Sequence, residues 1–479
     1  MSPRRLQKDC SGNHFLMKIN SSYLKILILL TISGLLAAIC RMNGFTAKQS
    51  FVLFVFLLSI LGTLFFWELR VGLVFLGSGV LFLTRSVNLE NFIKFASLDV
   101  ILFLIGIMIV VGAMRETGIF HLLISAILRI KHINGVALFI ILGVMSAVLS
   151  ALMGEVASIL LMTAMIFDMC KSLKMKPAPL VIFSVLTTNI GSAATLLGNP
   201  VGVLLALRGG LSFEDFLRCA LPVSAVVLIV VMAILLMWYR SYVKEMSSKL
   251  TSENRQTVPF SFSIDNRTKI SIAMFLLMLA SMAFHRRIEV LFGIENNTVL
   301  IMSPIIFAGL LMIFRKDKAL YYIERGVDWS SILFFMFLFA QTGVIQASGI
   351  GQLFAEKITA AFGTHPRLLS GMVLFSSGFL SSVLDNTVVV AAYIPVIKSL
   401  HLMHMSLKPL WWCILFGACF GGNITVLGST ANIVALGALE REEHVKVNFM
   451  DWIKIGMIVG VVSMLIAYFA VISFNIFSV

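Results

Sequence analysis

The chain has 479 residues, of which 59% are hydrophobic and 13% charged, with a mean hydropathy of +0.99. A water-soluble domain is about 45–50% apolar and about a quarter charged, and a globular core does not keep growing with length, so a soluble fold is excluded and a bilayer is implied. The net charge of +14 falls between apolar runs, which makes it a topology signal and argues against a nucleic-acid-binding face, while six scattered cysteines without a CxxC pair imply neither a disulfide framework nor a zinc site.

Residues 1–22 form a basic polar tail (Arg4, Arg5, Lys8, Lys18), expected in the cytoplasm. The first apolar run, 23–42, is long for a secretory signal, and Ile39-Cys40 offers no small residue before the cysteine. It reads as an uncleaved first span, with its loop reaching residue 49. Runs of spanning length follow near 50–68, 71–86, 99–115, 179–206, 220–239, 270–284, 298–314, 329–347, 410–438 and 453–475. Two more stretches, 136–168 and 368–400, are interrupted halfway by small and polar residues. They predict helical hairpins that enter the membrane and turn back, because bare polar backbone is tolerated there only beside protein or a water-filled cavity. The expected fold is an all-α polytopic membrane protein with about eleven transmembrane helices plus two re-entrant hairpins.

Positive charge orients the spans. With the N-terminus in the cytoplasm, Arg129/Lys131, Lys171/Lys174/Lys176, Arg240/Lys244/Lys249 and Arg315/Lys316/Lys318 fall inside, whereas Arg286/Arg287 and Lys398/Lys408 fall outside. The polar stretch 241–269 reads as a cytoplasmic linker between transport repeat 1 (50–240) and transport repeat 2 (270–479). A shift of 231 positions aligns Ile101-Leu102-Phe103 with Ile332-Leu333-Phe334, Gly112 with Gly343, and Leu149-Ser150 with Leu380-Ser381. A shift of 230 aligns Gly191 to Gly198 with Gly421 to Gly428. The five crossings between the starts of the two copies are an odd number, so the repeats have inverted topology.

Polarity meets helix breaks at presumed membrane depth in four places: the tip around Gly154-Glu155, the stretch Thr187 to Pro200, the tip Leu384-Asp385-Asn386-Thr387, and the stretch Gly421 to Asn432. Freed backbone groups and Asn, Ser and Thr side chains there can hold an ion reversibly. Asp385 is the sharpest signal, since a charge at a helix centre costs roughly 2.5–3.5 kcal/mol on insertion scales; it reads as an ion or proton ligand or as the cap of the second hairpin arm. Glu155 is either a second ligand or a tip group reaching water. The candidate substrate- and ion-binding residues are Asp385, Asn386, Thr387, Asn423, Thr425, Ser429 and Asn432 in the second half, and Glu155, Ser158, Ser192, Thr195 and Asn199 in the first. Thr195, Thr425 and Asn423 also have the reading that they only satisfy freed backbone. His401 and His404 read as loop residues, and segments 118–130 and 349–362 as interfacial amphipathic helices.

The tip Leu384-Asp385-Asn386 with Pro395 downstream, and the pattern Gly421, Gly422, Asn423, Thr425, Gly428 and Asn432, resemble the ion-transporter superfamily, in particular its arsenite-permease/NhaD-type antiporter branch (P protein-like, with a citrate-transporter-like domain). The resemblance runs from about residue 50 to near the end. It implies secondary transport on inverted repeats, often as homodimers, with arsenite, Na⁺ against H⁺, dicarboxylates or other anions as cargo. The first half departs from that pattern: Gly154-Glu155 stands where the family has Asp-Asn, and Gly198-Asn199-Pro200-Val201-Gly202 where it has Gly-Asp-Pro-Pro-Asn.

The expected protein is therefore an integral, multi-pass transporter (in the plasma or inner membrane if bacterial) of an inorganic ion or small oxyanion coupled to H⁺ or Na⁺. Asp385 would be the protonatable or cation-binding group, with Asn386 beside it if Na⁺ binds. A dicarboxylate or citrate-type symporter and a passive anion channel are the alternatives. No HExxH pair and no GxxxxGK[ST] loop occurs, so neither a zinc protease nor ATP hydrolysis within this chain is expected, which leaves only a separate ATPase subunit as an energy-supplying partner. No resident metal or other cofactor is expected.

Overall fold

The computed structural model describes residues 6–118, 133–251, 266–363, 365–401 and 407–473, and every element among them is helical. The interfacial reading of 118–130, all but the first residue of which falls outside that range, is not described there, nor is His404. Eight described helices are long and apolar enough to cross a membrane, or nine if the pair Asn266–Ala283 and His285–Phe292, bent by 71°, is one span.

The N-terminal part contains α1 (Leu6–Met42), α2 (Ala47–Phe65), α3 (Arg70–Leu83), α4 (Leu89–Phe95) and α5 (Leu98–Glu116). Thr46 starts α2 with a reciprocal capping box to Gln49, which satisfies two amides that the helix itself leaves unpaired. The first expected hairpin follows as α6 (Gly135–Met153) and α7 (Glu155–Leu173), arms of 19 residues each joined through Gly154 alone. Gly154 adopts φ +88°, a conformation costly for any residue with a Cβ, so the sharp reversal requires glycine. The Ser158 hydroxyl donates to the Ser146 carbonyl at 3.2 Å, so α7 folds back along α6.

The expected span 179–206 is two helices, α8 (Ala178–Ser192) and α9 (Pro200–Gly209), separated by a buried break. Asn199 caps α9 through its Oδ1, which accepts from Gly202 N at 3.0 Å, and Pro200 occupies the first helical position. A short turn then leads into the continuous helix Phe213–Trp238, whose main part is α10 (Leu221–Trp238), followed by α11 (Arg240–Thr251). The start of the expected linker is thus helical: α11 docks on the base of α6, with Val243 and Met246 buried and Ser247 Oγ accepting from Gly135 N at 2.8 Å.

The second half repeats this plan. After α12 (Asn266–Ala283), α13 (His285–Phe292), α14 (Thr298–Phe314) and α15 (Ala319–Gly326) come α16 (Trp329–Ala347) and α17 (Ile350–Phe362). The second hairpin is α18 (Pro366–Ser381) and α19 (Asn386–His401), tied between its arms by Tyr393 OH donating to Ser376 Oγ at 2.7 Å. The second broken helix is α20 (Lys408–Gly421) and α21 (Thr430–Glu443), and α22 (Phe449–Ser473) ends the described chain. Each of the eleven runs expected to cross falls on one helix or a broken or bent pair, although α3, α14 and the halves of both broken helices are each shorter than a full span.

Within each repeat the first hairpin arm packs directly on the first half of the broken helix, α6 on α8 and α18 on α20. The approach is so close that a Cβ on Gly191 would lie 2.2 Å from the Ala147 carbonyl oxygen, and one on Gly421 would lie 2.2 Å from that of Gly378. Without a hydrophobic drive between helices in lipid, such small-residue contact is what van der Waals packing can use. Ala147 and Gly378 are themselves repeat equivalents.

Candidate functional site

Each broken helix exposes carbonyls and amides that its own repeat partly satisfies. Thr195 donates its hydroxyl to the Ala151 carbonyl at the first tip, and Thr425 donates to the Ser382 carbonyl at the second. Each threonine oxygen also accepts from the amide two residues on, Leu197 N at 3.2 Å and Leu427 N at 3.1 Å. These two threonines therefore tie a hairpin tip to its own break. Ser158 is likewise committed to its hairpin. At the first tip Glu155 N donates to the Gly198 carbonyl at 2.9 Å. In the second repeat the Asn386 side chain takes the equivalent role: with its amide nitrogen facing the acceptors, its two N–H groups are shared among Ser381 Oγ at 2.7 Å, Ala418 O at 3.0 Å and Gly428 O at 2.8 Å.

Between the repeats the breaks meet. Asn189, wholly buried, donates through Nδ2 to Asn423 Oδ1 and to Asn432 Oδ1, both at 2.8 Å. Its Oδ1 accepts from Ser429 Oγ at 3.1 Å. Asn432 Nδ2 in turn donates to the carbonyls of Gly422 at 2.8 Å and Thr425 at 2.9 Å, and Trp452 Nε1 holds the Asn423 carbonyl at 3.1 Å. On the other side of this hub Asn199 Nδ2 donates to Ser192 Oγ at 3.0 Å and Cys419 Sγ at 3.1 Å. Under the shift of 230, Asn199 corresponds to Ser429 and Cys419 to Asn189. The contacts Asn199–Cys419 and Ser429–Asn189 are thus the same contact made twice, the reciprocity that a two-fold axis imposes.

The two carboxylates differ in how they are held. Asp385 is 7% exposed, and both its oxygens are taken: Oδ1 accepts from Thr387 N at 2.9 Å and Oδ2 from Thr430 Oγ1 at 2.7 Å. Glu155 is 6% exposed and lies at the hub, where Oε1 shares the Ser429 hydroxyl with Asn189 at 3.4 Å and Oε2 has no hydrogen-bond partner among the described residues. Ser192 and Asn199 flank it, and Asp385 lies within electrostatic range. Among the described residues no Lys or Arg forms an ion pair with either acid, and no cluster of three or more His, Cys, Asp or Glu side chains suits a metal ion.

Of the residues expected from sequence, Glu155, Asn423, Ser429 and Asn432 converge on one hydrogen-bonded hub, Ser192 and Asn199 sit beside it, and Asp385, Asn386 and Thr387 form the adjoining second tip. Asn189 and Thr430 belong to the same constellation although the sequence reading did not single them out. Repeat alignment passes over Asn189 because its mate is the non-amide Cys419. Because Asn189 supplies the donor for two buried carbonyl oxygens, Asn189→Leu leaves both orphaned, each at about 1–3 kcal/mol. The expected result is a melting temperature in detergent lowered by several degrees, and an unchanged melting curve would show the hub to be structurally dispensable.

Comparison with known proteins agrees with this architecture. The sequence pattern of the family described as Citrate transporter matches residues 51–417 and 342–479. An uncharacterized transporter of Mycobacterium tuberculosis is 29% identical over 377 residues, covering 77% of this chain and 84% of that protein. The human P protein is 26% identical over 449 residues, covering 78% of this chain and 53% of its own length. The solved structure of the Alcanivorax borkumensis YdaH transporter, described as having an unusual topology, superimposes with a TM-score of 0.54 at 17% identity over 82% of this chain and 88% of that one, a likeness of fold. This chain, with paired hairpins and broken helices meeting at a polar centre, belongs to the citrate transporter family of membrane transporters.

Proposed function

We propose that this protein is a secondary active carrier of a small anion, an oxyanion or carboxylate, driven by H⁺ or Na⁺ bound at Glu155. The observation that carries this reading is the Glu155 carboxyl, buried at the meeting point of the two repeats with one oxygen unpartnered. A carboxylate withdrawn from water must bind a proton or a cation or bear a large desolvation cost. Asp385, with both oxygens engaged, serves first as the cap of the second tip and second as a neighbouring negative charge that favours cation entry. The neutral amides and hydroxyls of Asn199, Ser192, Ser429 and Asn432 offer donors that suit an anion without holding it permanently. One part of each half, carrying its hairpin and broken helix, would move relative to a scaffold formed by the rest.

Reconstitution on solid-supported membranes, with arsenite, chloride, succinate and citrate tested under imposed Na⁺ and pH gradients, decides the matter. The expected result is uptake of one anion against its own gradient when a Na⁺ or H⁺ gradient is applied. Currents that follow the anion gradient alone, indifferent to Na⁺ and pH, would make the protein a channel and overturn the proposal. Asp385→Asn keeps an acceptor for Thr387 N but removes the charge, so gradient-driven flux is expected to fall without losing its ion dependence. Wild-type flux in that variant would confine Asp385 to capping.

A further inference from the structure

A cavity of about 190 Å³ lies away from the central hub, lined by Lys94, Ser97, Arg208, Thr342, Gln346 and Lys398 together with apolar side chains of α9 and α19. Its three cations come from α4, α9 and α19, elements separated by more than a hundred residues in the chain, so only the fold brings them together. Among the described residues no carboxylate lines the cavity. Arg208 is engaged by Asp99 at 2.8 Å, while Lys398, half-buried and within electrostatic range of both, has no ion-pair partner among the described residues. Two positive charges therefore remain uncompensated around a space that also presents a serine, a threonine and a glutamine.

The location matters as much as the charge. Both α9 and α19 begin at the central breaks and pack together as they run outward. At about 1.5 Å per residue, Arg208 lies about 12 Å and Lys398 about 18 Å along its helix from the hub. The charge-based topology puts all three cations on the non-cytoplasmic face, where the positive-inside bias disfavours them, so their presence there calls for another reason. A cluster of one sign in a walled recess concentrates counter-ions and raises their capture rate.

We propose that this cavity is an anion-binding vestibule, a second site that captures a small dianion at one mouth of the carrier, before the central hub, with succinate as the probe. The inference does not depend on which ion Glu155 binds, and its test does not require transport.

The test is protection of Lys398 from an amine-reactive ester, quantified by peptide mass spectrometry on the full chain in phosphatidylcholine nanodiscs. At succinate ten times above its dissociation constant, about a tenth of the sites stay free, so Lys398 labelling is expected to slow about tenfold. Exposed Lys316 is expected to react unchanged, and so is Lys398 in chloride of equal ionic strength. Protection is expected to persist in Glu155→Gln, which separates this site from the central one. Arg208→Gln is expected to abolish it and Arg208→Lys to restore it; cations serving only to complement helix C-termini would give no anion-dependent labelling at all. The proposal is overturned by absence of succinate protection, by equal protection from chloride, or by loss of protection in Glu155→Gln. It is also overturned if phosphatidylglycerol in the nanodisc slows labelling by itself and succinate adds nothing, which would make a lipid headgroup the ligand.

Discussion

Glu155→Gln is expected to reduce gradient-driven transport sharply while leaving the protein folded. Gln has nearly the same shape and can still accept from Ser429 through its carbonyl oxygen, so the contact made by Oε1 survives. It also fills the space of Oε2, which has no partner to lose. What disappears is the only group at the hub able to take up or release a proton, or to neutralise a cation, without dismantling a helix cap. Hydrogen bonds to charged groups contribute about 1.5–3 kcal/mol, so loss of the coupling ion's main ligand is expected to lower ion-driven uptake by about ten- to a hundredfold. Anion exchange at equal pH and equal Na⁺ on both sides should persist, because it needs no net movement of the coupling ion. The measurement is uptake into proteoliposomes with and without an imposed gradient, beside a thermal unfolding curve to show the fold is intact. Gradient-driven uptake at the wild-type rate in Glu155→Gln would remove Glu155 from the mechanism.

The largest structural effect is expected from Gly191→Val, with Gly421→Val matching it. A Cβ on Gly191 falls 2.2 Å from Ala147 O and 2.5 Å from Ala147 Cα, and on Gly421 it falls 2.2 Å from Gly378 O and 2.4 Å from Gly378 Cα. These are backbone atoms, which cannot turn aside as a flexible side chain does. The first hairpin arm would have to separate from the broken helix, pulling Thr195 from Ala151 in one repeat or Thr425 from Ser382 in the other. Overpacking typically costs about 1–3 kcal/mol, and a backbone clash at the protein's centre belongs at or above the top of that range. Both variants are expected to lose most monodisperse protein on size exclusion and to unfold at markedly lower temperature. Gly309→Ala is the control: its Cβ meets nothing within 4 Å, and Ala in a helix interior is favoured over Gly by roughly 0.5–1 kcal/mol. A Gly191→Val protein as stable as Gly309→Ala would mean that the close packing of α6 on α8 does not hold the repeat together.

Composition and local pattern determined much of this protein. Apolar runs of spanning length can only be helices in a bilayer, because every backbone group must find its partner within the segment. Gly154, Asn199-Pro200 and the Ser381 to Asn386 stretch mark the hairpins and breaks by local rules of turns and caps, and repeat register placed the two halves in correspondence. What sequence could not decide was which polar groups are already spent. Asp385 and Glu155 look alike as buried acids, yet one has both oxygens bonded by Thr387 and Thr430 while the other keeps one free. Asn189 joined the hub, and Lys94, Arg208 and Lys398 one cavity, only through contacts between helices far apart in the chain. Hydrogen-bond satisfaction and charge proximity are properties of three-dimensional neighbours, so they are settled by how helices pack and not by the order in which residues follow one another.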